Sequence, residues 1–114
     1  MIKVIINRAN DDGVVSFKVT GHANFADHGK DIVCSAVTAV TVGTVNAIDQ
    51  LCKISAHKHC EAKSGYLFYS LPADVDEETK KKAQLLIEGM IVSLRSIELS
   101  YGKFITITEK NQEV

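Results

Sequence analysis

The chain lacks an excess of either charge. Its 114 residues carry 13 Lys plus Arg against 14 Asp plus Glu, a formal net charge of -1 at pH 7. A protein that grips nucleic acid through its phosphates needs a basic surplus, so no direct nucleic-acid binding is expected. The one basic run, Lys80-Lys81-Lys82, reads as the solvated face of a helix. Cysteine is scarce and odd in number: Cys34, Cys52 and Cys60 share no CxxC spacing, which argues against a disulfide framework or a zinc knuckle and leaves reduced thiols. The apolar start, residues 1–7, is too short for a signal peptide or a spanning helix, so the expected location is the cytoplasm, with no membrane. Repeats and linkers are also missing. At this length a function must share the surface of one core.

What is present reads as α+β: a five-stranded sheet with two long helices in the order ββαββαβ. Ile2, Val4 and Ile6 alternate with Lys3, Ile5 and Asn7, and alternation resumes at Val15, Phe17 and Val19, with Asp12-Gly13 in the turn between. A loop rich in Gly, Asn, Asp and His follows over residues 21–30. Residues 32–52 favour strand by their Val and Thr content, but the run is too long for one and reads as a helix capped by Asp31. Its small residues Ala36, Ala39, Gly43 and Ala47 predict close packing as a buried central helix. A second hairpin is expected over residues 57–71, turning at Lys63-Ser64-Gly65, with Leu67, Tyr69 and Leu71 on one face; Pro72 ends it. Asp74-Val75-Asp76-Glu77 reads as an N-cap with its acidic N3 partner. Ala83, Leu86, Ile87, Met90, Ile91, Leu94 and Ile97 then keep helical spacing up to Tyr101-Gly102. A last strand covers residues 104–108. Large groups on both faces of the strand through Tyr66 and Phe68 suggest a partner-covered face, for which a homodimer is the commonest answer.

The residues able to carry chemistry are His22 and Cys34. Cysteine attacks as the thiolate, so it needs a lowered pKa and a group to carry its proton. With Asp31 as N-cap, Ile32, Val33 and Cys34 fall in a first turn whose free N–H groups stabilise a thiolate and would also serve an oxyanion. A loop bracketed by Gly21 and Gly29 lets the His22 imidazole reach the sulfur. Asp31 has two competing duties, capping the helix or orienting His22. Ser35 and Thr38 add hydroxyls, for substrate contact or for bonding back to helix carbonyls. His28 is a rival base in the same loop, and a small buried hydrophobe is the bland reading of Cys34. Cys52, His57, His59 and Cys60 invite a metal reading, but on a strand His57 and His59 would share one face with Cys60 opposite, so no metal is expected.

Gly21-His22-Ala23, Gly29 and the run Asp31-Ile32-Val33-Cys34-Ser35-Ala36-Val37 resemble the signature of the ribosomal-processing cysteine protease family Prp, and the likeness extends to Glu88-Gly89. That resemblance implies a single cysteine-protease domain over residues 1–114, with a flexible catalytic loop at about 21–33 and a polar tail at about 109–114. It implies a homodimer that removes the short N-terminal extension of protein twenty-seven of the large ribosomal subunit. Cys34 would be the nucleophile, His22 the general base and Asp31 their support. Gly21 and Gly29 would shape the loop over the substrate, and Thr38 stands where the family usually has serine. No cofactor is implied. Family substrates carry paired aromatics before the scissile bond, so a groove with apolar pockets is expected, and a bound peptide could add its backbone to a sheet edge. Two other readings stand beside it: a peptide-binding module associated with the ribosome that no longer cuts, and a thiol redox sensor, which lacks an obvious resolving cysteine.

Overall fold

The computed structural model describes residues 1–21 and 28–111, leaving aside the side chains of 28–31. Its elements are β1 (Ile2–Arg8), β2 (Val14–Thr20), α1 (His28–Cys52), α2 (Ala56–His59), β3 (Cys60–Lys63), β4 (Tyr66–Ser70), α3 (Glu77–Tyr101) and β5 (Ile105–Asn111). The expected order therefore holds, with one short helix added. The sheet runs β3-β4-β2-β1-β5, antiparallel except for the parallel pair β1 and β5.

Strand alternation gives the sheet one buried face. Ile2, Val4 and Ile6 of β1, Leu67 and Tyr69 of β4, and Ile105 and Ile107 of β5 join the core, while Lys3, Thr106 and Thr108 stay exposed. Helices α1 and α3 cover that face. The core stripe of α3 is Ala83, Ile87, Met90, Ile91 and Leu94, at the spacing read from sequence. Phe17 and Tyr69 stack at 5.3 Å between ring centroids. The Tyr69 hydroxyl is buried with no hydrogen-bond partner among the described residues, and burial raises its pKa to about 12.

Several expectations need correction. The stripe of α1 that packs inward is Val33, Val37, Thr41, Val45, Ile48 and Cys52, whereas Ala39 and Gly43 are exposed. The branched residues fall at i, i+4 and i+3, so they and not the small ones fill the space against the sheet. Thr41 and Thr44 donate to the carbonyls of Val37 and Val40, which satisfies hydroxyls on a helix poor in intrinsic propensity. Nor is the helix central, since Ile32, Val42 and Leu51 face solvent. By length and composition residues 32–52 would suffice to cross a bilayer, but here one stripe of them is engaged in the core.

The second hairpin starts later than expected, because Ala56–His59 forms a helical turn before the strand begins at Cys60. Asp49 holds that turn by accepting a hydrogen bond from the Ala56 amide at 2.8 Å. In α3 the cap is Asp76, whose Oδ1 accepts from the Thr79 amide at 2.7 Å. The helix thus begins too late for Asp74 and Glu77 to form a capping box. In the first hairpin the positive φ falls on Asp12, at 70°, rather than on Gly13.

Two polar devices fasten the sheet to α3. Gln84 donates to the Val14 carbonyl and accepts from its amide, both at 2.8 Å, standing in for a strand neighbour. Arg8 forks onto Glu88 at 2.6 and 2.9 Å and reaches Glu109 at 2.8 Å; Arg95 bridges Glu109 and Glu98. Replacing Gln84 with Ala leaves both polar groups of the buried Val14 backbone without these partners, and should cost about 1–3 kcal/mol in urea unfolding. Hydrogen bonds from Arg95 and Arg8 hold the Glu109 carboxyl below its usual range. Its stabilisation is therefore complete above the unfolded glutamate pKa of about 4.3 and lost as pH falls through the lower native value. Glu109→Gln should lower the melting temperature at neutral pH and flatten its fall in acid.

Candidate active site

The sheet extends past the helices at its β3 end. Along one inner row, Val4 and Leu67 are buried and Val19 half-buried, but Ala62, paired with Leu67, is exposed. Between this overhang and α1 lies a cleft of about 260 Å³. Cys34, Val37, Thr38, Thr41 and Val42 form its helical wall, and Val19, Leu67 and Ala62 form the opposing sheet wall. Gly21, Gly65, Tyr66 and Lys63 also line it. Lys63 is the sole charged residue among the described lining, and its Nζ stands 5.4 Å from the Tyr66 ring centroid.

Cys34 is half-buried on the helical wall, neither sealed in the core nor standing free on the surface. Thr38 follows one turn later on the same wall and is exposed. Ser35 is exposed on the adjoining face and does not line the cleft. The expected N-cap is displaced: α1 begins at His28, so Gly29 and Asp31 are helical and Cys34 belongs to the second turn. No proline interrupts residues 28–31, and glycine in a helix costs only about 1 kcal/mol. Because the dipole effect fades beyond the first turn, helix position activates Cys34 less than the sequence suggested.

Gly21 closes the other side. Its φ is 109°, its amide donates to the Gly65 carbonyl at 3.1 Å, and a Cβ there would overlap the Met1 carbonyl oxygen. Only glycine suits such a position. His22 is the next residue in the chain; it and the side chains of His28 and Asp31 lie outside the described residues.

The remaining cysteines behave differently. Cys52 is in the core, and burial pushes the Cys60 thiol up, which makes it a poorer nucleophile. His57 and His59 sit on the short helix α2, not on a strand, and two residues apart on a helix they diverge. Sequence reasoning missed the sheet wall altogether. Its one available signal was the turn at Gly65, whose φ of 73° needs glycine.

An accessible thiol on an open apolar cleft, beside a glycine-held strand end that leads into a histidine, is an arrangement of cysteine proteases. The chain belongs to the cysteine protease Prp family, whose model matches residues 1–106, and it is a cysteine-type peptidase. The ribosomal processing cysteine protease Prp of Bacillus subtilis (strain 168) is 47% identical over 108 residues, 95% of this chain and 96% of that one. The crystal structure of the ribosomal processing protease Prp from Staphylococcus aureus with a substrate peptide superposes with a TM-score of 0.79 at 28% identity, covering 96% of this chain and 100% of that one. The same organism's Prp with a covalently linked product peptide gives a TM-score of 0.76 at 32% identity, with the same coverage.

Gly21→Ala should cost about 2 kcal/mol or more in stability, from the left-handed φ and the clash with Met1. Peptidase activity measured well below the melting temperature should fall further than the folded fraction does.

Proposed function

We propose that the chain is a single cysteine-protease domain that removes the short N-terminal extension of protein twenty-seven of the large ribosomal subunit, and so serves ribosome maturation. The observation that carries this reading is Cys34 on the wall of an open apolar cleft that is also lined by Gly21, the residue before His22. The relatives' role in ribosomal processing, and the peptides bound to the Staphylococcus aureus protein, support the substrate class.

In this mechanism His22 takes the thiol proton and the Cys34 sulfur attacks the scissile carbonyl carbon. The tetrahedral intermediate collapses by breaking the C–N bond, and the imidazolium gives its proton to the leaving amine. Water, deprotonated by His22, then cleaves the thioester and restores the thiol. Asp31 supports the imidazole, the role that the resemblance to the family implies. Gly29 lies in the first turn of α1, and Thr38 and Ser35 offer hydroxyls near the nucleophile.

The protein acts in the cytoplasm as a homodimer. Leu85, Val92 and Leu99, exposed on α3 at intervals of seven, offer an apolar stripe for that contact.

A peptide copying the extension should be cut once by the wild type. Cys34→Ala and His22→Ala should each lose about a thousandfold or more in kcat/KM, read by mass spectrometry of the products. A wild type that binds the peptide but leaves it whole under reducing conditions would sink the reading.

A further inference from the structure

The two edges of the sheet are treated differently. On β5 the outward amide of Ile107 is occupied by the Glu98 carboxylate at 3.0 Å, and Glu98 is held in place by Arg95. A side chain on that edge blocks strand addition. On β3 no described residue does so.

Ladder geometry fixes which groups β3 presents. The Gly65 carbonyl accepts from Gly21, and the Leu71 amide donates to Val15, so the odd-numbered residues there turn their backbone toward β2. The even-numbered Tyr66 and Phe68 must then face β3, where their partners are Lys63 and Glu61. Cys60 and Ala62 consequently turn their backbone groups to the open edge. The Cys60 amide is already given to the Ala56 carbonyl. The Cys60 carbonyl and both polar groups of Ala62 remain, and the Ala62 side chain lines the cleft opposite Cys34.

We propose that the substrate peptide binds as a sixth strand on the open edge of β3, pairing with the backbone of Ala62 and dropping alternate side chains into the apolar cleft in front of Cys34. This rests on the protease reading above and adds to it the edge, the register residue and the extended conformation of the substrate. A peptide in a strand points successive side chains to opposite faces. Every second residue before the scissile bond therefore meets Val37, Val42 and Leu67, and the residues between face solvent on the other side of the sheet. Backbone pairing supplies affinity, and the cleft supplies selectivity.

Two measurements test it. Extension peptides carrying a single N-methyl amide at each successive position should alternate, with KM raised about tenfold or more where the methylated amide faces β3 and nearly unchanged where it faces away. Ala62→Pro removes the outward amide at an edge position where proline is tolerated. It should melt cooperatively near the wild-type temperature and raise KM about tenfold, with a smaller change in kcat. Uniform tolerance of methylation, together with a wild-type KM in Ala62→Pro, overturns strand addition while leaving the protease reading intact. No cleavage of the unmethylated peptide by the wild type overturns that reading, and the inference with it.

Discussion

The backbone at Gly21 is pinned from two sides, and the site is arranged around that point. The Met1 carbonyl crowds it from β1, and the Gly65 carbonyl holds its amide from the β3–β4 turn. No other residue has the conformational freedom to pass between them at a φ of 109°. The end of β2 is therefore fixed relative to the strand that neighbours it and to the hairpin that overhangs the cleft. The chain leaves the sheet there, at the mouth of the cleft, on its way to α1. Gly21, at the end of β2, and Cys34, on α1, belong to different parts of the chain, and both line the cleft.

Far from that junction the same sheet is fastened by charge. Arg8 is nearly buried, with 11% of its side chain exposed, and two carboxylates raise its pKa further. Isolated surface ion pairs contribute little, but a forked pair extended through Glu109 and Arg95 to Glu98 ties β1, β5 and α3 in one network. Among the described residues, the ion pairs that fasten the sheet thus gather at the β5 side. The β3 side keeps a four-residue strand in which Glu61, Ala62 and Lys63 are exposed, and its Ala62, at the end of the inner row, is not covered by the helices. A sheet with one closed edge and one open edge has a built-in polarity: the closed edge carries α3, and the strand at the open edge contributes to the cleft that Cys34 also lines.

Much of this was legible in the residues because it is local. Period-two alternation gave β1, β2 and β4, the 3.6 spacing gave α3, and length overrode propensity for α1. The ends were read less well. Asp31, Asp74 and Gly13 each suit a cap or turn, yet α1 starts at His28, α3 is capped by Asp76, and Asp12 takes the positive φ. Several neighbouring residues could perform those tasks, and packing chooses among them. His57 and His59 were given to a strand because Asp49's bond to Ala56, which makes the turn helical, spans seven residues of sequence. The parallel pairing of β1 with β5 joins residues about a hundred apart, which no local pattern encodes.

The site was legible by half for the same reason. Cys34 and Thr38 are one turn apart on one helix, so their spacing already places them together. The opposing wall brings Val19, Ala62 and Leu67 together through strand pairing, and none of them carries a group that announces chemistry. In a thiol protease the nucleophile is conspicuous in sequence, whereas the surface that presents the peptide to it is apolar side chain and plain backbone. Ala62 is the extreme case. A methyl group leaves nothing to notice, yet its backbone faces the open edge and its side chain faces the cleft. The position has those two properties together because the hairpin register sets the first and the overhang beyond α1 sets the second. A shift of one residue in the β3–β4 register would exchange the inward and outward faces and separate the open edge from the thiol. The turn at Ser64-Gly65, held by a glycine at φ 73° and by its bond to Gly21, is what prevents that slip.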